Sequence, residues 1–445
     1  MQIYKLEKPD IPDDATPRII DFLLNKAEQQ NYVGATSEPQ YLFWDKVRYK
    51  PHPPGLTAEE FWMAVKYLRR ISWERRQTPI RTENDDYFSW QRLPQLDLFL
   101  HEVDMNLGGA LVSGMADTTA FRQASISRGI MEEAIASSQL EGASTTRKIA
   151  KQMLLEKRQP RDRSEQMILN NYRVMLEIEQ ELQKKPLTLE LLKELQASLT
   201  RDTIDAREVG RFRTKRDTIV VSDPSSGTVY HIPPAAGFVR REIRKFLDYA
   251  NDKSDREQFV HPVIKAVLLH FWIGYLHPFT DGNGRLARTV FYWYLLRKKY
   301  WGFSYLPLSR VIKNSPAQYR DAYLYSEQDD NDVTYFVDYN VRKIMQARRE
   351  FDTYVRRKER ENVRMAAIAR GKYGLNDRQI QLLRYLYKNA EATTTIKTHS
   401  QVYRVGRLTA RRDLEQLEIL GLLQSWKRGV ERPFKATEKV AELLS

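Results

Sequence analysis

The segment HPFTDGNGRLAR, residues 277–288, combines residue types that could bind a polyphosphate. Gly282 and Gly284 allow backbone conformations in which successive amide groups converge on an anion, and a helix that begins there would add the partial positive charge of its N-terminus. Arg285 and Arg288 are three residues apart and therefore share one helical face, so both guanidinium groups could hold phosphate oxygens. The segment therefore predicts a polyphosphate site.

Two further side chains of this segment could supply metal binding and proton transfer. Asp281 could bind Mg²⁺, which usually binds through one or two carboxylates together with phosphate oxygens. His277 is the group of the segment that can accept a proton near neutral pH. With the glycines and arginines, these residues describe the transfer of a phosphate-linked group. The alternative is a helix–loop–helix corner in which DGNG forms a turn and the arginines face solvent, which explains the turn but not the whole segment.

Mostly helical periodicity predicts the elements that must position this segment. Apolar residues predict one helix over Val263–Leu276, which runs directly into the segment, and a second over Leu286–Lys299. Two β-rich runs, Thr218–Val221 and Thr228–Ile232, flank the turn cluster SDPSSG and predict a β-hairpin. Because an isolated hairpin is marginally stable unless it packs on something, we interpret residues 213–233 as a substrate-binding flap. The residues predicted to dock a target are Thr218, Ile219, Val220 and Val221.

Residues 277–288 resemble the core motif of the Fic family of adenylyltransferases, HPFxx-GNGRxxR with Asp or Glu before the first glycine, and they match it completely. The resemblance spans about residues 120–354. It implies a mainly α protein with a helical Fic core and a β-hairpin flap. It also implies a nucleotidyltransferase, with ATP as substrate and Mg²⁺ as cofactor, that transfers AMP to a Ser, Thr or Tyr hydroxyl of a target protein or of the protein itself.

The resemblance also implies roles for individual residues. His277 would deprotonate the target hydroxyl, and Asp281 would bind Mg²⁺. Asn283, with the amides of the neighbouring glycines, would hold the α- and β-phosphates, while Arg285 and Arg288 would contact the β- and γ-phosphates. The predicted nucleotide-binding residues are Gly282, Asn283, Gly284, Arg285, Leu286, Ala287, Arg288 and, in VIKNSPAQY, Asn314.

A second motif lies upstream, in a helix predicted over about residues 130–143. The pattern Ser137-x-x-x-Glu141-Gly142 resembles the inhibitory-helix motif of Fic proteins, which is Ser or Thr, three residues, Glu, then Gly or Asn. The resemblance implies that Glu141 pairs with Arg288 and blocks the γ-phosphate position. A carboxylate held there would repel the triphosphate and occupy the guanidinium group. The alternative is an ordinary helix that ends with Gly142 as its C-cap.

The last fifth of the chain carries most of its positive charge. Of a formal net charge of +14, residues 356–445 contribute +10, from twenty Lys and Arg against ten Asp and Glu. From Leu375 on, an amphipathic helix, the segment GRLTARRDLEQLEILGLL and the strand–turn–strand pattern QSWKRGVERPFKAT resemble a winged helix-turn-helix domain, an α+β fold. Such a domain presents its recognition helix to duplex DNA, or it binds protein instead. The DNA-binding candidates are Arg407, Arg411, Arg412, Lys427 and Arg428.

The 445 residues predict about two to four domains. The predicted regions are an N-terminal helical region of unknown role (1–118), the Fic core (119–355), a helical linker (356–374) and the winged helix-turn-helix domain (375–445). Cysteine is absent, which excludes a disulfide framework and a thiolate zinc site. The start MQIYKLEKPDIPDD has no secretory pattern, and the longest apolar stretch, Ala266–Leu276, is too short to cross a membrane. We therefore expect a cytoplasmic protein with no membrane partner.

Other functions stay open at this point. One is a DNA-binding transcriptional regulator whose Fic-like body senses a nucleotide without transferring it, but an intact His277 argues against it because a sensor needs no base. Another is an enzyme that removes AMP or transfers a different phosphate-linked group, which would use the same residues. A homodimer is also left open.

Overall fold

The computed structural model describes residues 3–10, 16–108, 119–223, 225–253, 259–389, 392–403, 405–427 and 432–440. Within these residues the secondary structure consists of long helices and a few short strands, so the protein is mainly α, as predicted. The chain divides into two compact units between Arg349 and Glu350. None of the helices in the described part of the chain is long and apolar enough to span a membrane.

The first unit contains fourteen helices within its described residues, and the helix that contains the division is α15 (Thr334–Tyr373). The fourteen are α1 (Thr16–Leu24), α2 (Lys26–Val33), α3 (Trp44–Val47), α4 (Ala58–Ile71), α5 (Pro94–Leu107), α6 (Thr119–Leu140), α7 (Arg147–Glu156), α8 (Arg163–Gln180), α9 (Leu189–Thr200), α10 (Ala236–Ala250), α11 (Pro262–Leu276), α12 (Asn283–Arg297), α13 (Leu308–Lys313) and α14 (Pro316–Gln328). Its strands are β1 (Arg75–Arg81), β2 (Tyr87–Gln91), β3 (Val221–Ser222) and β4 (Val229–His231).

Helices α11 and α12 form the centre of the first unit. Nearly all of their side chains are buried, as expected for helices that other elements cover on every side. Helix α11 begins where the His261 imidazole accepts a hydrogen bond from the Val263 amide and Pro262 occupies the first turn. Helix α12 packs against α6, α8 and α9, so the short loop between the two central helices lies against the middle of the fold.

Two residues with left-handed backbone conformations bracket that loop. His277 ends α11 at φ +45°, and Gly282 precedes α12 at φ +81°. Glycine adopts this region at no steric cost, whereas a residue with a side chain adopts it only where the surrounding structure compensates for the strain. The tight loop therefore depends on contacts made by its own side chains.

Helix α6 packs closely against α8, α13 and the turn at Trp301–Tyr305. Gly129 allows the closest approach, because a Cβ built on it would lie only 2.9 Å from the Cα of Tyr305. After the helix ends at Leu140, Gly142 takes a left-handed conformation with φ +91°. The predicted glycine C-cap is therefore present, and it does not exclude an inhibitory role for Glu141.

The flap is a hairpin of β3 and β4, but its strands are shorter than the sequence predicted. Strand β3 begins only at Val221, because Asp217 accepts hydrogen bonds from the amide and hydroxyl of Thr214 and closes a turn there. Of the four predicted docking residues, only Val221 is therefore part of a strand. Thr218 is exposed, and Ile219 and Val220 are partly exposed.

Residues near the start of the chain extend this hairpin. Ile3 forms a parallel bridge with Val229, and the Tyr4 amide donates a 2.8 Å hydrogen bond to the Val229 carbonyl. The Gln328 side chain fixes the same segment, accepting from the Leu6 amide and donating to the Tyr4 carbonyl. The N-terminal region predicted as helical also contains an antiparallel hairpin of β1 and β2, in which Arg75 pairs with Gln91 and Arg81 pairs with Tyr87.

The second unit contains the helices α16 (Asp377–Lys388), α17 (Ile396–Tyr403) and α18 (Arg407–Ile419), followed by the strands β5 (Leu423–Ser425) and β6 (Phe434–Ala436). The two strands pair antiparallel, and Thr394 bridges to Phe434. Buried leucines of α16 and α18 form a separate hydrophobic core. At its edge, Asp413 accepts hydrogen bonds from Asn376 and Arg378 and contacts His399.

Replacing Gly129 by alanine should lower the free energy of unfolding by about 1–3 kcal/mol, because the new methyl group overpacks the contact with Tyr305. Urea denaturation followed by tryptophan fluorescence measures the change. The control is Gly237→Ala in α10, where a built Cβ has no atom within 4 Å. Equal stability of the two variants would contradict the close approach of α6.

Candidate active site

His277 is held in one tautomer by the helix that ends at it. Its Nδ1 lies 2.8 Å from the carbonyl oxygen of Gly274. A carbonyl oxygen can only accept, so Nδ1 carries the hydrogen and Nε2 presents its lone pair. Burial, followed by the positive charge of His231, lowers the pKa of His277 to about 4. The imidazole is therefore neutral at pH 7 and able to accept a proton.

Arg213, at the start of the flap, supports the backbone of the loop. Its Nε donates a 2.6 Å hydrogen bond to the His277 carbonyl, and its amide donates to the Pro278 carbonyl. Its guanidinium group also donates to the Leu276 carbonyl at 3.1 Å. The role of Arg213 could not be predicted from the sequence, because it is one of four basic residues in GRFRTKRD and nothing in their spacing distinguishes it.

Asn283 closes the loop from inside. Its Oδ1 accepts from the Phe279 amide at 3.0 Å, and its Nδ2 donates to the Phe279 carbonyl at 2.9 Å. Phe279 is fully buried and packs on Phe212, with ring centroids 4.8 Å apart. In this arrangement the Asn283 carboxamide holds the loop together, and its backbone amide belongs to the first turn of α12, where amides have no intrahelical acceptor.

The first turn of α12 lies against a carboxylate of the protein itself. A Cβ built on Gly284 would lie 2.7 Å from the Cδ of Glu141 and closer still to its Oε1. Only glycine therefore fits at position 284 while Glu141 is in this position. A carboxylate at a helix N-terminus is attracted by the unpaired amides and the helix dipole.

Glu141 also forms an ion pair with Arg288, so the structure brings these two predicted residues together. The guanidinium group donates to Glu141 Oε1 at 2.9 Å, to Ser137 Oγ at 2.8 Å and to the Ser137 carbonyl at 3.0 Å. Arg288 is the more deeply buried partner, with 3% of its side chain exposed against 24% for Glu141. Burial raises the pKa of Glu141, but the guanidinium groups of Arg288 and Arg285 outweigh burial and leave this pKa below its usual value.

Arg285 points to the other side of the helix start. It is fully buried and donates to the Leu199 carbonyl at 2.6 Å, and burial lowers its pKa. Its second terminal nitrogen lies 3.5 Å from Asp281 Oδ1, and its Nε has no hydrogen-bond partner among the described residues. Arg285 and Arg288 thus flank the N-terminus of α12 from two sides.

Asp281 is the carboxylate available for a metal ion. About a third of its side chain is exposed, 31%, and its Oδ2 lies 3.4 Å from a guanidinium nitrogen of Arg163. The described residues contain no cluster of three or more His, Asp or Glu side chains that could hold a metal by themselves. A single partly exposed carboxylate beside a phosphate site suits Mg²⁺, which takes its remaining ligands from phosphate and water.

The remaining predicted nucleotide-binding residues are Leu286, Ala287 and Asn314. Leu286 and Ala287 are fully buried on α12 and belong to the core. Asn314 is exposed at the end of α13. Its neighbour Lys313 contacts Gln139 Oε1 at 2.6 Å, which links this turn to the end of α6.

In the second unit, the predicted DNA-binding residues Arg407, Arg411, Arg412 and Lys427 are all exposed. Three of them lie on α18, and Arg411 forms an ion pair with Glu415 at 2.7 Å. Arg428 lies outside the described residues.

Comparison with known proteins gives a match over the part of the chain that carries this site. The family model described as the Fic/DOC family matches residues 186–295. A curated protein named protein adenylyltransferase Fic, from Nematostella vectensis, is 37% identical over 90 residues, which is 20% of this chain and 18% of that protein. Its counterpart from Drosophila virilis is 32% identical over 119 residues, 27% of this chain and 22% of that protein. The chain thus spans about a fifth of the length of these curated relatives.

A solved structure extends the similarity in fold. The crystal structure of a Fic family protein from Desulfovibrio desulfuricans G20 matches 78% of this chain and 97% of that chain, with a TM-score of 0.52 and 19% sequence identity. The motif, the helix pair that carries it and these matches agree, and residues 186–295 of the chain form a Fic domain.

Proposed function

We propose that the protein is a protein adenylyltransferase that transfers AMP from ATP to a Ser, Thr or Tyr hydroxyl of a target protein, and that Glu141 restrains this activity. The observation that carries the proposal is the neutral His277, whose Nε2 lone pair is available beside the N-terminus of α12 and two buried arginines. The names of the relatives matched over the Fic domain support the same reaction.

In the proposed reaction, His277 acts as the general base. Its Nε2 takes the proton of the target hydroxyl while the hydroxyl oxygen forms a bond to the α-phosphorus of ATP. The bond from the α-phosphorus to the bridging oxygen breaks, and its electron pair leaves with pyrophosphate. The amides of the first turn of α12, Arg285 and Arg288 hold the phosphates and offset their charge.

Asp281 would hold Mg²⁺ together with phosphate oxygens. The ion, when bound, supplies positive charge next to the phosphates. Arg163 and Arg285 approach the same carboxylate at 3.4 and 3.5 Å, so they hold Asp281 beside the start of α12.

Glu141 competes with ATP for the same groups. Its carboxylate contacts the first turn of α12 at Gly284 and pairs with Arg288, and these are the groups proposed to bind the β- and γ-phosphates. Two anions cannot occupy this place together, so binding of the triphosphate in its productive position requires Glu141 to leave. This mutual exclusion is the proposed restraint.

Replacing Glu141 by glycine should raise AMP transfer, measured as self-modification with ATP labelled at the α-phosphate. We expect an increase of about 5- to 150-fold, the range of a coupling free energy of about 1–3 kcal/mol. The matched control is Glu132→Ala on α6, the helix that precedes Glu141, because Glu132 pairs with Arg147 instead of Arg288. Arg288→Ala should not activate, since it removes the restraint and a phosphate ligand together. Equal rates for Glu141→Gly and the unmodified protein at saturating ATP and Mg²⁺ would refute the restraint.

Replacing His277 by alanine in the Glu141→Gly protein should separate chemistry from binding. Loss of a positioned base should lower the transfer rate by about 10²- to 10⁴-fold. The dissociation constant for ATP, measured by calorimetry, should change by less than about threefold, because His277 is proposed to contact the target hydroxyl and not the phosphates. A transfer rate close to that of Glu141→Gly would show that another group is the base.

For the second unit, we propose a winged helix-turn-helix domain that binds duplex DNA. Three helices followed by an antiparallel strand pair support this fold, and the exposed arginines of α18 support the DNA contact. Arg411 and Arg412 lie in the first half of α18, the part that such a helix presents to the major groove. The alternative ligand is another protein, for which the basic surface would be incidental.

The full-length protein should bind mixed-sequence duplex DNA at low salt, with affinity that falls steeply as salt rises. Arg411→Ala and Arg412→Ala should each weaken binding. Each should also reduce the slope of log affinity against log salt concentration by about one, as expected for the loss of one phosphate contact. Lys148→Ala, an exposed lysine of α7 in the first unit, removes the same charge and should leave binding unchanged. A fluorescence anisotropy titration measures all four proteins. Absence of binding at low salt would favour a protein ligand and would leave the adenylyltransferase proposal unaffected.

A further inference from the structure

A second histidine stands beside His277, on the last residue of the flap strand β4. Nδ1 of His231 lies 2.6 Å from Glu327 Oε2 of α14, and Nε2 lies 2.8 Å from the Tyr275 carbonyl of α11. Its ring centroid is 6.1 Å from that of His277. The side chains of His231 and Glu327 are only 10% and 17% exposed, so water screens this arrangement weakly.

The two partners of His231 determine its protonation state. The Tyr275 carbonyl can only accept a hydrogen bond, so Nε2 carries a hydrogen. An ionised Glu327 also only accepts, so Nδ1 carries the second hydrogen. Two such acceptors suit an imidazolium paired with a carboxylate. Burial alone lowers the pKa of His231, but the charge of Glu327 and the two hydrogen bonds outweigh burial and raise this pKa above its ordinary value.

The charges around both rings can be named. His277 faces His231 on the flap, Arg213 at the start of the flap and Glu141 after α6, and its own helix contributes the Gly274 carbonyl. His231 faces Glu327 from α14, the Tyr275 carbonyl from α11 and Arg213. The charged groups near His277 are thus two cations, His231 and Arg213, and one carboxylate, Glu141.

We propose that His231 is a positioning residue: its imidazolium, fixed by Glu327 and the Tyr275 carbonyl, keeps the nearby imidazole of His277 in its neutral, proton-accepting form and ties the flap to the base. A positive charge about 6 Å away makes a second positive charge on His277 unfavourable. The same two hydrogen bonds join β4 to α11 and α14, so the flap and the base keep a fixed relation. The catalytic consequence rests on the proposed function, in which His277 is the base.

Nuclear magnetic resonance of the ring nitrogens tests the protonation states without any enzymatic reaction. The chain has seven histidines, which can be assigned by single substitutions in ¹⁵N-labelled protein. At pH 7 we expect both nitrogens of His231 to carry hydrogens and His277 to be neutral with its hydrogen on Nδ1. A neutral His231 at pH 7 would overturn the proposal.

Substitutions then test the effect on His277, by the same titration and by the pH dependence of self-modification in the Glu141→Gly protein. His231→Gln removes the charge. It should raise the pKa of His277 by about 0.5–2 pH units, and the acid limb of the pH–rate profile should move to higher pH by the same amount. This range corresponds to a unit charge at about 6 Å with effective dielectric constants of about 80 to 20. His231→Lys keeps a cation beside Glu327 and should leave the limb near its original position.

His261→Gln is the matched control, because His261 also contacts a carboxylate, Asp104 at 3.0 Å, but at the opposite end of α11. This control should change neither the pKa of His277 nor the acid limb of the pH–rate profile. If His231→Gln and His231→Lys both lose activity without moving the limb, His231 only supports the fold and the proposal is wrong. If Glu141→Gly transfers no AMP at all, the proposed function fails, while the resonance measurements still decide the protonation states.

Discussion

A deeply buried guanidinium group, that of Arg288, requires an anion, and this requirement organises the rest of the site. With 3% of its side chain exposed, Arg288 cannot rely on water for its charge. Removing the partner of a buried ion typically costs about 3–5 kcal/mol. Ser137 fixes the direction of the guanidinium group through its hydroxyl and its carbonyl, so the position of the required anion is also fixed. Glu141 fills that position here, and a phosphate group of ATP is the other anion proposed to fill it.

The sequence predicted the parts of this arrangement that depend on local spacing. Helices α11 and α12 follow from apolar periodicity, and the loop between them follows from its glycines, so the mainly α fold with its Fic domain is confirmed. The meeting of Glu141 with Arg288 could be expected only through a family resemblance, because 147 residues separate them. Strand boundaries in the flap were wrong by up to three residues, since a side-chain turn at Asp217 competes with pairing.

What the sequence could not predict are residues whose role arises from contacts between distant elements. Arg213 and His231 look like ordinary flap residues, yet one supports the loop backbone and the other lies beside the base. The contact of Ile3 and Tyr4 with β4 likewise joins positions more than two hundred residues apart. Periodicity and motif spacing carry no information on such pairs, because they depend on how the helices pack.

The low pKa of His277, about 4, keeps the imidazole neutral before ATP binds, and a change in the surrounding charge during the reaction would make it a stronger base. A base works best when its pKa lies near the working pH, and a pKa of about 4 describes a site in which the single charge of Glu141 offsets the nearby cations. In the proposed cycle, the triphosphate replaces this single negative charge by several. Added negative charge raises the pKa of a neighbouring imidazole. Binding of ATP would therefore displace Glu141 and also make His277 a stronger base. Before ATP binds, the cations of the site favour a neutral imidazole. When ATP binds, the same cations attract its phosphates.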